Sequence, residues 1–166
     1  MPIDDSNFRA LLGSSATLTD GGAKNDRGSL ERCRLIEFPK ISDSSAGSLT
    51  FIETARHVPF EIRRVFYVYD LASGGKRSDH AHKTLHEVII CLSGGLDVHL
   101  DDTYHQHTVR LHRPWLGLYV PPLIWISVDN FDPGTVYMGL VSEFYDRSDY
   151  YRDYTEYLQA VRANAR

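Results

Sequence analysis

The chain has 166 residues, within the ordinary size of one domain, and 42% of them are hydrophobic, enough to fill a core. Its formal net charge is −4 and it carries no basic block, which argues against nucleic acid as a partner. Two cysteines far apart, Cys33 and Cys91, exclude a disulfide scaffold and a zinc ribbon, and no apolar run approaches the ~18 residues of a membrane span.

Residues 1–30 are punctuated by Ser14, Ser15, Thr17, Thr19, Gly21, Gly22 and Gly28, with one short apolar patch at 8–12. This pattern predicts a flexible or loosely docked extension. It has no basic segment followed by an apolar core, so no secretory signal is expected and the cytoplasm is the expected compartment. Residues 31–166 are expected to form one domain. Strands are predicted at 33–38, 49–53, 62–69, 87–92, 96–100, 106–111, 117–120, 124–128 and 136–144. Turn residues separate several of them: Ser93-Gly94-Gly95, Asp101-Asp102, Pro121-Pro122 and Asp132-Pro133-Gly134. Many short strands at this spacing imply an all-β sandwich or barrel. In 96–100 the alternation places Leu96, Val98 and Leu100 inside and Asp97 and His99 outside. The tail changes period. Over 150–162, Tyr150, Tyr154, Tyr157, Leu158 and Val161 share one helical face, with Ser148 or Asp149 as the expected cap.

The chemistry concentrates in 74–87. On a strand, His80 and His82 point to the same side, because side chains alternate with period two. Two adjacent imidazoles inside a barrel can share a proton task or hold a metal. His86 and Glu87 are neighbours, so only one of them faces the same interior.

Gly74, His80-x-His82, Glu87 and Gly94 are spaced as in the first cupin motif, which the chain resembles at each position. In metal-binding cupins the two His and the Glu are ligands. A second motif usually adds a His after a PxG turn. Pro114-Trp115-Leu116-Gly117 resembles that turn, but no His follows it, so no metal is expected.

A closer resemblance is to the sugar 3,4-ketoisomerases. Arg77-x-x-His80-Ala81-His82-Lys83 resembles their RGxHAHK segment, with Ser78 in place of the Gly. Arg64-Val65-Phe66-Tyr67 is similar to their RVYY strand, and 117–122 followed by Trp125 to their GLYVPPxxW stretch. Residues 144–154 resemble their YDExDYIRxY tail. Ile126-Ser127 departs from the polar or acidic pair often found there. The resemblance implies a jelly-roll-like cupin barrel with a C-terminal α-helix. It also implies an isomerase that moves the keto group of a dTDP-linked 4-keto-6-deoxy sugar from C4 to C3 through an enediol, with no cofactor. His80 is then the base and His82 the acid or relay, although the two roles can be exchanged. Tyr67 and Arg77 are candidates to stabilise the oxyanion, and Arg77 alternatively pairs with the diphosphate. Arg64, Lys83, Tyr119 and Trp125 complete the implied substrate site, the two aromatics by stacking or walling the pocket. A homodimer is implied, and a place in deoxysugar biosynthesis for lipopolysaccharide or another surface glycan. In this reading Glu87 is only an exterior strand residue. Two alternatives remain: a metal-dependent cupin using His80, His82 and Glu87, and a cupin that binds a nucleotide sugar without turnover.

Overall fold

The computed structural model describes residues 29–163. Of the expected N-terminal extension, only Ser29 and Leu30 fall within them, and the rest lies outside the described residues. Leu30 is already docked: it is buried in the core, and its N–H donates to Asp102 Oδ2 at 3.1 Å.

Twelve strands follow in chain order: β1 (Arg34–Glu37), β2 (Lys40–Asp43), β3 (Gly47–Thr50), β4 (Arg64–Val68), β5 (Arg77–His82), β6 (Glu87–Ser93), β7 (Leu96–Asp101), β8 (Gln106–Leu111), β9 (Leu116–Val120), β10 (Trp125–Asp129), β11 (Val136–Val141) and β12 (Tyr150–Tyr151). One helix, α1 (Tyr154–Ala163), closes the described chain. Two antiparallel five-stranded sheets, ordered β1-β9-β6-β11-β4 and β12-β5-β10-β7-β8, face each other as a jelly-roll-like barrel. β2 and β3 form a separate hairpin. The expected all-β barrel with a terminal helix is what the chain forms.

Period two sorts the side chains. Ile89 and Cys91 of β6, Leu96, Val98 and Leu100 of β7, and Ile126 and Val128 of β10 point between the sheets and make the main core. Val88 and Ile90 point the other way and pack with Phe38, Val58, Tyr119 and Leu140 beneath the 38–62 segment. β6 is therefore apolar on both faces, which explains its unbroken hydrophobic run. Gly94 holds the β6–β7 turn at φ +71°, and an added Cβ would sit 2.9 Å from the Thr135 Cα, so only Gly suits the position.

Three sequence expectations change. β2 was not foreseen, since all four of its residues are exposed and carry no apolar alternation. Tyr150 and Tyr151 belong to a strand, which pairs with His82 and Ala81 of β5, and the helix starts only at Tyr154. Its first turn is capped by Asp153, whose Oδ1 accepts from Glu156 N at 3.0 Å; neither Ser148 nor Asp149 is the cap. The buried helical face is Tyr157 and Val161, set against Ala81 and Trp125 on the outer side of β5 and β10.

Candidate active site

Where the core stops, the space between the sheets opens into a cavity of about 700 Å³. That size is ordinary for a small-molecule site. β4 contributes Arg64, Phe66 and Val68, three residues in phase along one face. β5 contributes Arg77, Ser78, His80 and His82. Arg77 lies three residues before His80, and simple alternation would turn it outward. A β-bulge corrects the phase: Ile126 pairs with His80 and Val128 with Arg77, so Ser78 and Asp79 together oppose Ser127. Ser78 takes φ +66° to make this bulge.

His80 and His82 meet directly, with Nε2 to Nε2 at 3.1 Å and the rings nearly perpendicular at 83°. The Tyr150 ring covers both, at 4.4 Å from His82 and 5.1 Å from His80 between centroids. Burial first, then the charges of His82 and Arg152, push the His80 pKa down to about 3, so its imidazole is neutral near pH 7. His82 Nε2 also faces Glu87 Oε2 at 3.7 Å, and its Nδ1 faces Asp149 Oδ2 at 3.4 Å. Glu87 is buried at the cavity floor, and burial pushes its pKa up although His82 and Arg64 oppose this. Glu87 is therefore an interior residue, not an exterior one. Its neighbour His86 takes the outer side, where its Nδ1 hydrogen-bonds the Tyr119 hydroxyl at 2.7 Å.

The cavity walls carry Arg64, Lys76, Arg77 and Arg152 against Asp70 and Glu87. In a chain of net charge −4 this is a local cationic field suited to an anionic ligand. Arg64 Nη2 donates to the Tyr150 hydroxyl at 3.4 Å, while its buried Nε has no hydrogen-bond partner among the described residues. A buried guanidinium N–H beside a cavity is a donor awaiting an acceptor. The donor atoms of His80, His82 and Glu87 lie within 4.8 Å of one another, so these three residues could also hold a cation.

The chain is similar to known proteins in sequence and fold. A family model described as FdtA: WxcM-like, C-terminal, matches residues 31–162. The chain is 41% identical over 128 residues to a TDP-4-oxo-6-deoxy-alpha-D-glucose-3,4-oxoisomerase of Aneurinibacillus thermoaerophilus, covering 77% of this chain and 91% of that protein. The chain belongs to the sugar 3,4-ketoisomerase family. Among solved structures it is similar to QdtA, a sugar 3,4-ketoisomerase from Thermoanaerobacterium thermosaccharolyticum in complex with TDP. The TM-score is 0.79 at 37% identity, covering 81% of this chain and 98% of that one. It is also similar to the WlaRB TDP-quinovose 3,4-ketoisomerase from Campylobacter jejuni, with TM-score 0.74 at 38% identity, covering 78% and 98%.

In this ketoisomerase, half of the residues singled out from sequence converge on the cavity and half do not. Arg64, Arg77, His80 and His82 line it. Tyr67 is 65% exposed, on the outer side of β4. Tyr119 is buried behind β9, with Arg34 over its ring at 4.6 Å. Trp125 packs behind β10 against Tyr154 and Tyr157 of α1. Lys83 lies over the Tyr151 ring at 5.0 Å and lines a separate groove with Tyr145 and Asp149. Tyr67 and Lys83 sit one residue out of phase with the cavity-lining Phe66 and His82, and Tyr119 and Trp125 sit one residue out of phase with core residues, Leu118 and Ile126. Tyr150, Arg152, Tyr137 and Asp149 were not singled out. The 144–154 motif contained three of them, but a helical reading of the tail hid the strand that aims Tyr150 inward.

Proposed function

We propose that this isomerase acts on a TDP-linked 4-keto-6-deoxy hexose, moving the keto group from C4 to C3 by proton transfer through the His80–His82 pair. The observation that carries the reading is the pair itself, Nε2 to Nε2 at 3.1 Å inside a cavity walled by Arg64, Arg77 and Arg152. The relatives' substrates agree with it: a histidine-to-asparagine variant of QdtA, 36% identical to this chain with TM-score 0.79, was solved with TDP-4-keto-6-deoxyglucose.

The reaction takes a proton from C3 and returns one to C4, while the hydroxyl proton passes from O3 to O4. A neutral imidazole with a bare nitrogen can take the C3 proton. The partner imidazole holds or returns a proton at the oxygens. The enediolate oxygen requires positive charge or a donor close by. Arg64 and Arg77 supply planar donor forks for the enediolate and the diphosphate oxygens. Tyr150, over both rings, walls the pair from solvent and offers its hydroxyl at the mouth.

Tyr67, Tyr119, Trp125 and Lys83 face away from this cavity, so they support the walls and have no part in the proposed chemistry. The proposed compartment is the cytoplasm, since a sugar diphosphate cannot cross a bilayer unaided. The proposed role is deoxysugar supply for a surface glycan, and the proposed assembly is a homodimer. The exposed apolar residues of β2–β4 support that assembly.

The test is to incubate EDTA-treated protein with TDP-4-keto-6-deoxyglucose in D2O and follow the sugar by NMR. A 3-keto product with deuterium incorporated, lost in His80→Asn and in His82→Asn, is expected. Unchanged substrate with folded protein would overturn the reading. The His80, His82 and Glu87 cluster favours one second reading, a metal-dependent isomerase: these three residues would hold a divalent cation, which would supply Lewis-acid polarisation of a carbonyl. Activity restored only by adding back a divalent metal would establish it.

A further inference from the structure

Asp149 is the third group around the histidine pair. It sits just before β12, at the end of the 310 turn Arg147–Asp149. Its carboxylate is held by three donors from the loop after β5. Oδ1 accepts from Thr84 N at 2.9 Å and Thr84 Oγ1 at 2.7 Å, and Oδ2 accepts from Leu85 N at 3.3 Å. A backbone bond from Lys83 N to the Asp149 carbonyl, at 2.8 Å, closes the same contact. The carboxylate therefore cannot swing away. It presents Oδ2 to His82 Nδ1 at 3.4 Å. That nitrogen is buried and has no other polar partner among the described residues.

We propose that Asp149 is a positioning residue for the proton-transfer pair, holding His82 with its proton on Nδ1 so that Nε2 is left bare to take a proton in the cavity. The proposal rests on the ketoisomerase reading of the cavity.

The argument is one of proton placement. A neutral imidazole carries one proton on either nitrogen, and the hydrogen bond made by one nitrogen decides the state of the other. An ionised carboxylate accepts but cannot donate. A lone pair on Nδ1 facing Asp149 would meet like charge in a buried site, whereas an N–H there meets an acceptor. Thr84 N, Thr84 Oγ1 and Leu85 N all donate to this carboxyl, so it faces the ring as an acceptor. With Nδ1 protonated, Nε2 is the His82 nitrogen left to take a proton in the cavity. When His82 Nε2 takes a proton, the ring becomes a cation with Asp149 at its back. The approach of 3.4 Å is long for a hydrogen bond in the resting state and shortens as the charge develops.

The experiment uses the full chain, EDTA-treated and labelled with 15N-histidine, with long-range 1H–15N correlation to read the tautomer of each ring. Wild type is expected to show His82 protonated at Nδ1 and bare at Nε2. In Asp149→Asn the amide can donate to Nδ1, and the proton is expected to move to Nε2. Its kcat should fall about 100-fold, as for loss of a group that orients a proton-transfer residue, with KM nearly unchanged. A purely structural Asp149 would lower the melting temperature of Asp149→Asn while leaving the tautomer and kcat as in wild type, which would overturn the proposal. A wild-type His82 protonated at Nε2 would overturn it too, and that measurement stands even if the variant does not fold. Wild type that shows the expected tautomer but does not turn over the keto sugar would refute the substrate reading while supporting the positioning role.

Discussion

Ser78 shows what one residue does for this site. It adopts φ +66°, the left-handed region that costs a side-chain-bearing residue roughly 1–2 kcal/mol. The bulge it makes lets Arg77 and His80 face the same cavity although they stand three apart. Relatives that carry Gly here would make the same bulge without strain. The strain can be separated from the side chain with two variants. Ser78→Ala keeps the Cβ and so keeps the strain, while Ser78→Gly removes both. Ser78→Gly is expected to be more stable than Ser78→Ala by about 1 kcal/mol in urea unfolding. Equal stabilities would mean that the backbone there is not strained. The same scale shows how much of the site was legible. The His80-x-His82 spacing was readable because it needs only a strand and period two. Tyr67, Trp125 and Tyr119 were misplaced because a motif marks a segment and does not say which of two adjacent residues points inward. Arg64 and Phe66 share a phase, so Tyr67 has to point out. Phase could have been read from the sequence. The bulge that returns Arg77 to the cavity could not, since Ser78 gives no turn signal.

At the level of elements, the cavity wall depends on a glycine. Gly139 of β11 lies opposite Phe66 of β4, and the Phe66 ring covers it so closely that an added Cβ would enter the ring. Phe66 also lines the cavity. Gly139→Ala is expected to push that ring toward the substrate space. Overpacking of this kind costs typically 1–3 kcal/mol. The expected outcome is a lower urea midpoint together with a raised KM for the nucleotide sugar. A loss of stability with KM unaltered would show that the ring relaxes away from the cavity instead. Strands with alternating or continuous apolar runs, such as β6, β7 and β10, were readable because burial writes its period into them. β2, exposed throughout, writes none. β12 is two residues long and sits next to a real helical period, so the tail read as one helix. What separates strand from helix there is Asp153, whose side chain caps the first turn, and the pairing of Tyr150 with His82 across the sheet.

For the molecule as a whole, the distribution of apolar surface carries the last prediction. β4 is the edge of its sheet, and its outward residues Val65 and Tyr67 are 53% and 65% exposed. Tyr69 just beyond it, and Ile41 and Leu49 on the β2–β3 hairpin, are more than half exposed as well. An edge strand with a bare apolar row is a template for pairing unless something covers it. Charged residues would be the usual protection, and this row has none on its outward side between Val65 and Tyr69. A second copy of the chain would cover it by a two-fold contact, in which the same patch meets itself. Light scattering of wild type at micromolar concentration is therefore expected to give twice the 18.9 kDa chain mass. The double variant Val65→Lys/Tyr67→Lys places like charges across that two-fold and should shift the protein to monomer. A wild type that is already monomeric would remove the homodimer from the proposal. A dimer that survives both lysines would move its interface away from β4, to surface the described apolar row does not include.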